Sequence, residues 1–278
     1  PSGSLRTFVN FPDRVNVLSQ SPTSATFRAV QRAAIPDEED MPPYWSVRAA
    51  VLVNYAPKGG AAIQSWEEAG RYVSPLFEGA KKMTPEISAE VERLTASAAD
   101  VPAKLEALTG FVSRKIRYVA VEIGDGGFVP HPAADVYRYK YGDCKDKAML
   151  LISMLDQIGL KGYPALVGTR GAIEAAPSSP SLTSFNHMIV AVPVPESLRS
   201  AVEQWPAYDP EDQILWIDPT SDLHPVGELP AMDQGVYSLV AMPDRGALQR
   251  IPEAVSDTNG REYEASLELD ELGQGTAE

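Results

Sequence analysis

Across roughly the first 55 residues, apolar and polar side chains alternate in short runs that Pro, Asn and Ser interrupt. These runs are rich in β-branched residues, a composition that is typical of strands. They read TFVNFP, RVNVLSQ, SATFRAV and SVRAAVLVNY, and the acidic turn IPDEEDMPP precedes the last of them. We interpret residues 1–58 as the C-terminal part of a β-sandwich-type domain.

The next segments have apolar residues at helical spacing, and three of them carry local signals for a helix start. Ser65 stands three residues before Glu68, which is the spacing of a capping box. Thr84 precedes Pro85, and proline is favoured at the first helical position. Asp100 precedes the third amphipathic run. We therefore predict three helices that begin directly after these polar residues.

A fourth helix is predicted where the chain reads YKYGDCKDKAML. Apolar residues recur at helical spacing from Ala148 to Leu155, and Gly159 follows as the residue just past the helix end. Cys144, the single cysteine of the chain, falls in the first turn of this helix. Its neighbours in sequence are polar, which is unusual for a cysteine that only fills a core.

Strand-like runs return after Gly159 and read GYPALVGT, NHMIVAVPV, ILWIDPT and GVYSLVAM. The order of strands, then helices, then strands indicates an α+β fold. We predict that residues 59–245 form one core. Residues 246–278 are predicted to be a linker and the start of a further β segment, in the stretch REYEASLELDEL.

The charge balance argues against two classes of partner. The chain has 24 Lys and Arg against 38 Asp and Glu, a formal net charge of −14. Nucleic-acid binding relies on clustered positive charge, and anionic membrane surfaces would also repel this chain. No apolar run approaches the roughly 20 residues that a membrane-spanning helix needs. A single cysteine excludes an internal disulfide.

Three residues in separate segments are suited to acyl-transfer chemistry. A helix N-terminus favours the thiolate form of a cysteine, and its free N–H groups can stabilise an oxyanion. His187 begins one predicted strand, and Asp218 ends another just before a proline. A histidine beside Cys144 could exchange protons with it, and a carboxylate could orient the histidine ring. Taken singly, Cys144 could be a packing residue and Asp218 a turn former.

The blocks GDCKDKA, FNHMIVAV and WIDPTS, in this order, resemble the bacterial transglutaminase-like proteins of the papain-like cysteine fold superfamily. The resemblance covers roughly residues 60–240 and is strongest to members with a β domain in front of the core. It implies a helix that bears the cysteine and packs on an antiparallel sheet. It also implies Cys144 as the nucleophile, His187 as general base and acid, and Asp218 as the residue that orients His187.

In such folds an aromatic residue upstream often supplies a second oxyanion donor, and Tyr118 is our candidate. We carry over no cofactor and no metal. The cysteine and the three histidines match no zinc spacing, and no EF-hand-like loop is present. His131 and His224 each precede a proline, and we interpret both as loop residues, with His131 nearer to the cleft.

Two function hypotheses follow. The first is a protease, amide hydrolase or acyltransferase that acts on a protein or peptide through a thioester on Cys144. The second is a non-catalytic binding or scaffolding protein on the same fold. The choice between water and an amine as acyl acceptor, and the oligomeric state, stay open. The resemblance favours the periplasm or cell envelope, and a cytoplasmic location also stays open.

Overall fold

The computed structural model describes residues 4–10, 14–30, 33–36, 38, 47–58, 60–120, 124–169, 172, 175–254, 266–269 and 275–277. The helices are α1 (Trp66–Glu78), α2 (Pro85–Thr95), α3 (Val101–Lys115), α4 (Ala133–Tyr139), α5 (Cys144–Gln157) and α6 (Glu196–Val202). The strands are β1 (Ser4–Asn10), β2 (Asn16–Ser21), β3 (Ser24–Arg28), β4 (Ala50–Ala56), β5 (Arg117–Tyr118), β6 (Tyr141–Gly142), β7 (Tyr163–Val167), β8 (His187–Pro193), β9 (Tyr208–Asp209), β10 (Ile214–Ile217), β11 (Tyr237–Ala241), β12 (Gly246–Arg250), β13 (Leu267–Leu269) and β14 (Gly275–Ala277). The fold is mixed α+β, as the order of patterns predicted.

The helices begin where the sequence predicted. Ser65, Thr84 and Asp100 each accept a hydrogen bond from the backbone N–H three residues later, at 3.1, 3.4 and 2.9 Å. These side chains satisfy N–H groups that have no partner inside the helix. Helix α5 begins at Cys144, and Gly159 lies just past its end with a φ of +80°. Glycine adopts this left-handed conformation without steric cost.

The core is built around a six-stranded sheet with the order β12-β11-β7-β8-β10-β9, in which every neighbouring pair is antiparallel. Helix α5 packs on β7 and β8, and on its other sides it contacts α2, α3 and α4. Met149–Leu155 of α5 and Met188–Val192 of β8 are therefore buried, and all of these residues except Ser153 are apolar. Burial on several sides explains why neither element shows strict alternation of apolar and polar residues.

Several short elements were not predicted, among them α4, α6 and β12. Helices α4 and α6 are seven residues long, and neither has a side-chain cap at its start. Strand β12 pairs with β11, so the sheet continues past residue 245, where we had placed the boundary of the core. At this edge α1 packs so closely that a Cβ on Gly70 would lie 2.1 Å from the Cα of Gly246. Glycine at both positions permits the contact.

The strands predicted near the N-terminus are present as two separate pairs, β1 with β4 and β2 with β3. The Asn54 side chain donates to the carbonyl of Pro180, which ties β4 to the core. The assignment of residues 1–58 to a β-sandwich-type domain stays a prediction. Most of the acidic turn IPDEEDMPP lies outside the described residues. Within the described ranges, none of the helices combines the length and apolar character needed to cross a membrane.

Candidate active site

Cys144 is the first residue of α5 and is half-buried. Asp143 caps the helix and forms a capping box with Asp146: Asp146 N–H donates to the Asp143 carboxylate at 3.3 Å, and Asp143 N–H donates to the Asp146 carboxylate at 3.2 Å. The backbone N–H of Cys144 belongs to the first helical turn, where amides have no acceptor within the helix. The arrangement leaves a polarised amide beside the thiol.

Charges around the cysteine are arranged in one hydrogen-bonded cluster, which we call the capping network: Asp143, Lys145, Asp146 and His131. The Lys145 ammonium forms a buried ion pair with the Asp143 carboxylate. The Asp146 carboxylate accepts from the backbone N–H of His131 at 2.8 Å and contacts its Nδ1 at 3.1 Å. Each buried carboxylate thus has several donors, which offsets the cost of removing it from water.

Gly142 and Tyr118 lie side by side in the short parallel pair of β5 and β6. The Val119 N–H donates to the Gly142 carbonyl at 2.9 Å and fixes this pairing. A Cβ on Gly142 would lie 2.6 Å from the Cβ of Asp146, so only glycine lets the capping box close. Tyr118 is about half exposed, at 48 %. Its backbone pairs with that of Gly142, which lies two residues before Cys144 in the chain. Its part in oxyanion binding stays a proposal.

His187 and Asp218 come from neighbouring strands. His187 is the first residue of β8, and Asp218 directly follows β10, which pairs with β8 in antiparallel register. The Nε2 of His187 lies 3.4 Å from Oδ2 of Asp218, an ion-pair contact longer than an ordinary hydrogen bond. The other oxygen of Asp218 accepts from the backbone N–H and the hydroxyl of Thr220, at 2.8 and 2.7 Å. Asp218 is therefore held with one oxygen directed to the histidine.

The environment favours a charged imidazole ring on His187. Burial opposes the charge and is the largest single effect, but contacts with the side chains of Asp218 and Cys144, together with the charges of Asp218 and Asp233, outweigh it. They raise the pKa of His187 to about 10. Burial also acts to raise the pKa of Asp218, yet the contact with His187 and the bonds from Thr220 lower it. At neutral pH the pair is imidazolium and carboxylate.

His187 contacts Asp218 through Nε2, and its side chain also contacts that of Cys144. The structure thus brings together the nucleophile, base and carboxylate candidates that the sequence identified. Of the other two histidines, His131 contacts Asp146 in the capping network, and His224 Nδ1 lies 2.7 Å from the Ser221 hydroxyl. Neither takes part in the contacts of His187.

Sequence reasoning missed Asp233, which is completely buried, at 0 % exposure. Oxygen atoms of Asp233 and Asp218 and a ring nitrogen of His187 all lie within 4.8 Å of one another. Burial and then the charge of Asp218 raise the pKa of Asp233 to about 7. An acidic residue four residues before a buried strand is a weak signal for such a position, and no motif links Asp233 with His187. Because His187 and Asp218 already pair with each other, we assign no metal to the three.

No protein-family model matches the sequence, and no curated protein matches it. Among solved structures, a candidate protease of Parabacteroides distasonis ATCC 8503 is similar with a TM-score of 0.58 at 13 % identity, over 89 % of this chain and 42 % of that chain. A candidate cysteine protease of Cytophaga hutchinsonii is similar with a TM-score of 0.32 at 13 % identity, over 68 % of this chain and 61 % of that chain. This chain spans less than half the length of the Parabacteroides protein. At these identities the comparison shows one thing: the chain shares the mixed α+β fold of the Parabacteroides protein.

Proposed function

We propose that this protein is a cysteine-dependent acyl-transfer enzyme that cleaves peptide or carboxamide bonds through a thioester on Cys144. The observation that carries the proposal is the meeting of three side chains from three separate elements. A helix start, a strand start and a strand end converge so that His187 contacts both Cys144 and Asp218. The fold shared with a candidate protease supports the same class of chemistry.

The first half-reaction uses the protonated His187 that the site favours. The Cys144 thiolate attacks the carbonyl carbon, and the oxyanion that forms is stabilised by the Cys144 N–H. The imidazolium of His187 donates its proton to the leaving nitrogen. The C–N bond then breaks, the amine or ammonia departs, and a thioester remains on Cys144. Because the pKa of His187 is raised, its ring is protonated at neutral pH and can supply the proton that this step requires.

In the second half-reaction, neutral His187 removes a proton from water or from an acceptor amine, which attacks the thioester carbon. The C–S bond breaks, and the thiolate and imidazolium are regenerated. Asp218 stabilises the imidazolium and holds the ring in one orientation. Tyr118 is proposed as a second oxyanion donor. We favour hydrolysis, because transfer to an amine needs a further site that excludes water and holds the acceptor.

We further propose that the fold is transglutaminase-like and that the substrate is a protein or peptide. The motif order GDCKDKA, FNHMIVAV and WIDPTS supports the first proposal. Half-burial of Cys144 is compatible with the second, since the residue is not sealed inside the core.

The test is the rate of Cys144 alkylation against pH, followed by turnover of peptide and glutamine-peptide libraries. We expect wild-type protein to alkylate quickly below pH 7, and His187→Ala and Asp218→Asn to lose this fast reaction. Turnover should fall by about 10²–10⁴-fold in His187→Ala. Cys144→Ala supplies the blank for both measurements, and His224→Ala is the matched histidine control.

A thioester intermediate predicts an acyl adduct on Cys144 that mass spectrometry detects and hydroxylamine removes. An alkylation rate that follows the ionisation of an ordinary thiol, unchanged by either substitution, would contradict the proposal. Such a result would direct the search to binding partners instead.

A further inference from the structure

Asp233 is held beside the His187–Asp218 pair by a tightly bonded turn. The Asp233 N–H donates to the Pro230 carbonyl at 3.0 Å. The side chain of the next residue, Gln234, donates to the Leu229 carbonyl at 2.7 Å and accepts from the Ala254 N–H at 3.1 Å. These bonds fix the backbone on both sides of the carboxyl group. They hold Asp233 in a position where it is completely buried.

As a carboxylate, Asp233 is unsatisfied. Among the residues that the structure describes, no hydrogen-bond donor reaches either of its oxygens. As a carboxylic acid it has an acceptor nearby, because oxygen atoms of Asp233 and Asp218 lie within 4.8 Å of each other. A buried carboxylate without a donor is costly, whereas a protonated acid bonded to a neighbouring carboxylate is not. Complete burial, the lack of a donor and the nearby Asp218 carboxylate together favour a proton on Asp233.

The charges of the neighbouring groups also favour a protonated Asp233. The titratable groups that act on Asp233 are Asp218, which follows β10, and His187, at the start of β8. His187 also contacts Cys144 at the start of α5. Lys147, also on α5, interacts with Asp218, but its ammonium donates to the carbonyls of Ser113 and Ile116 at the end of α3. One imidazolium thus faces two carboxyl groups, and a proton on Asp233 lowers the negative charge between them.

We propose that Asp233 is a positioning residue of this site: its protonated form donates a hydrogen bond to Asp218, and its ionised form strengthens the imidazolium state of His187. The proton is transferred between Asp233 and solvent, and no other bond changes. The consequence for catalysis rests on the proposed function, but the titration of Asp233 does not. Asp233 acts through Asp218 and His187 and is not placed in contact with substrate.

The first measurement needs no variant. In wild-type protein the infrared carbonyl band of a protonated carboxylic acid should persist above pH 5, where exposed carboxyl groups are ionised, and should disappear near pH 7. Asp156 is the control, because burial also raises its pKa. The band that remains in Asp156→Asn is assigned to Asp233, and Asp233→Asn should remove it.

The second measurement is the NMR titration of the three histidine rings. Asp233→Asn keeps a donor for Asp218 but cannot carry charge, so the titration midpoint of His187 should move to lower pH. His131 and His224 are internal controls and should not shift. A residue that served only to fill space would not move one histidine midpoint selectively. In a working enzyme, the alkaline limb of kcat/KM should move to lower pH with the same substitution.

The outcomes separate this proposal from the proposed function. If no substrate is turned over but the infrared and NMR titrations occur as expected, Asp233 still has the role stated, and only the proposed activity fails. An unchanged His187 midpoint in Asp233→Asn would overturn the proposal, as would the absence of a wild-type carboxylic acid band above pH 5. Stabilisation of wild-type protein by Zn²⁺ that Asp233→Asn abolishes would also overturn it, since a cation would then replace the proton.

Discussion

Two clusters in this molecule contain two aspartates and a histidine each, and both adjoin Cys144 at the start of α5. In the capping network, Asp143 and Asp146 are buried beside His131. In the second, which we call the reaction cluster, Asp218 and Asp233 are buried beside His187, and Cys144 completes it. In both clusters the carboxyl groups are buried, but the capping network also contains Lys145, and its His131 ring is mostly exposed.

The two clusters differ in the number of donors that each carboxyl group receives. Asp143 has an ammonium and a backbone N–H, and Asp146 has two backbone N–H groups and an imidazole contact. In the reaction cluster Asp218 has donors, but Asp233 has none among the described residues. A satisfied polar cluster stabilises a helix start, whereas an unsatisfied one perturbs the pKa values of its members. That contrast is a better guide to chemistry than composition.

The largest expected effect on stability comes from breaking the charge balance of the capping network. Lys145→Met removes the ammonium and leaves the Asp143 carboxylate buried without its counter-charge. We expect the free energy of unfolding to fall by about 3–5 kcal/mol, measured by urea denaturation. The double variant Asp143→Asn with Lys145→Met removes both charges and should recover part of the loss. Equal losses in the single and double variants would mean that the ion pair is not the source of the effect.

For the reaction cluster, we instead expect a dependence of folding stability on pH. The pKa of His187 is about 10 in the folded chain and 6.5 as an isolated group, so the folded state binds the proton more tightly. Its stabilising contribution is complete below pH 6.5 and is lost as pH rises through about 10, with a size on the order of a few kcal/mol. His187→Gln should flatten this fall. The protonated Asp233 contributes to the free energy of unfolding at lower pH. Its contribution is lost as pH rises from 3.8 to about 7.

The measurement for this prediction is the melting temperature of wild type and His187→Gln at closely spaced pH values. Between pH 7 and 10 the wild-type value should drop more steeply than that of the variant. Parallel curves over this interval would show that His187 binds its proton no more tightly in the folded state than in the unfolded chain.

The smallest expected effect is at the histidine of the capping network. The His131 ring is mostly exposed, and its backbone N–H bonds to Asp146 whatever the side chain is. His131→Ala should therefore cost about 1 kcal/mol and leave Cys144 reactivity unchanged. Loss of the fast alkylation in His131→Ala would contradict this prediction, because both histidines would then influence the reactivity of the Cys144 thiol.

Local signals explain why some elements were predictable. Ser65, Thr84 and Asp100 cap their helices with their own side chains, so the information lies within three or four residues. Helices α4 and α6 follow Pro132 and Pro195, which make no side-chain cap, and at seven residues each they are too short to show a clear period. Their helical state depends on tertiary packing. The edge strand β12 was missed because only its pairing with β11 defines it.

By itself, the sequence determined that a lone cysteine stands at a helix start, that a histidine begins one strand and that an aspartate follows another. These features can be read from short stretches of sequence: from helix-capping residues, from the spacing of apolar residues and from the residues at strand ends. Only the tertiary structure decided that the three meet, because β8 and β10 are neighbours in the sheet and α5 packs on β8. Only the tertiary structure shows that Asp233 is buried beside them, since hydrogen bonding and pKa depend on neighbours in space and not on neighbours in the chain.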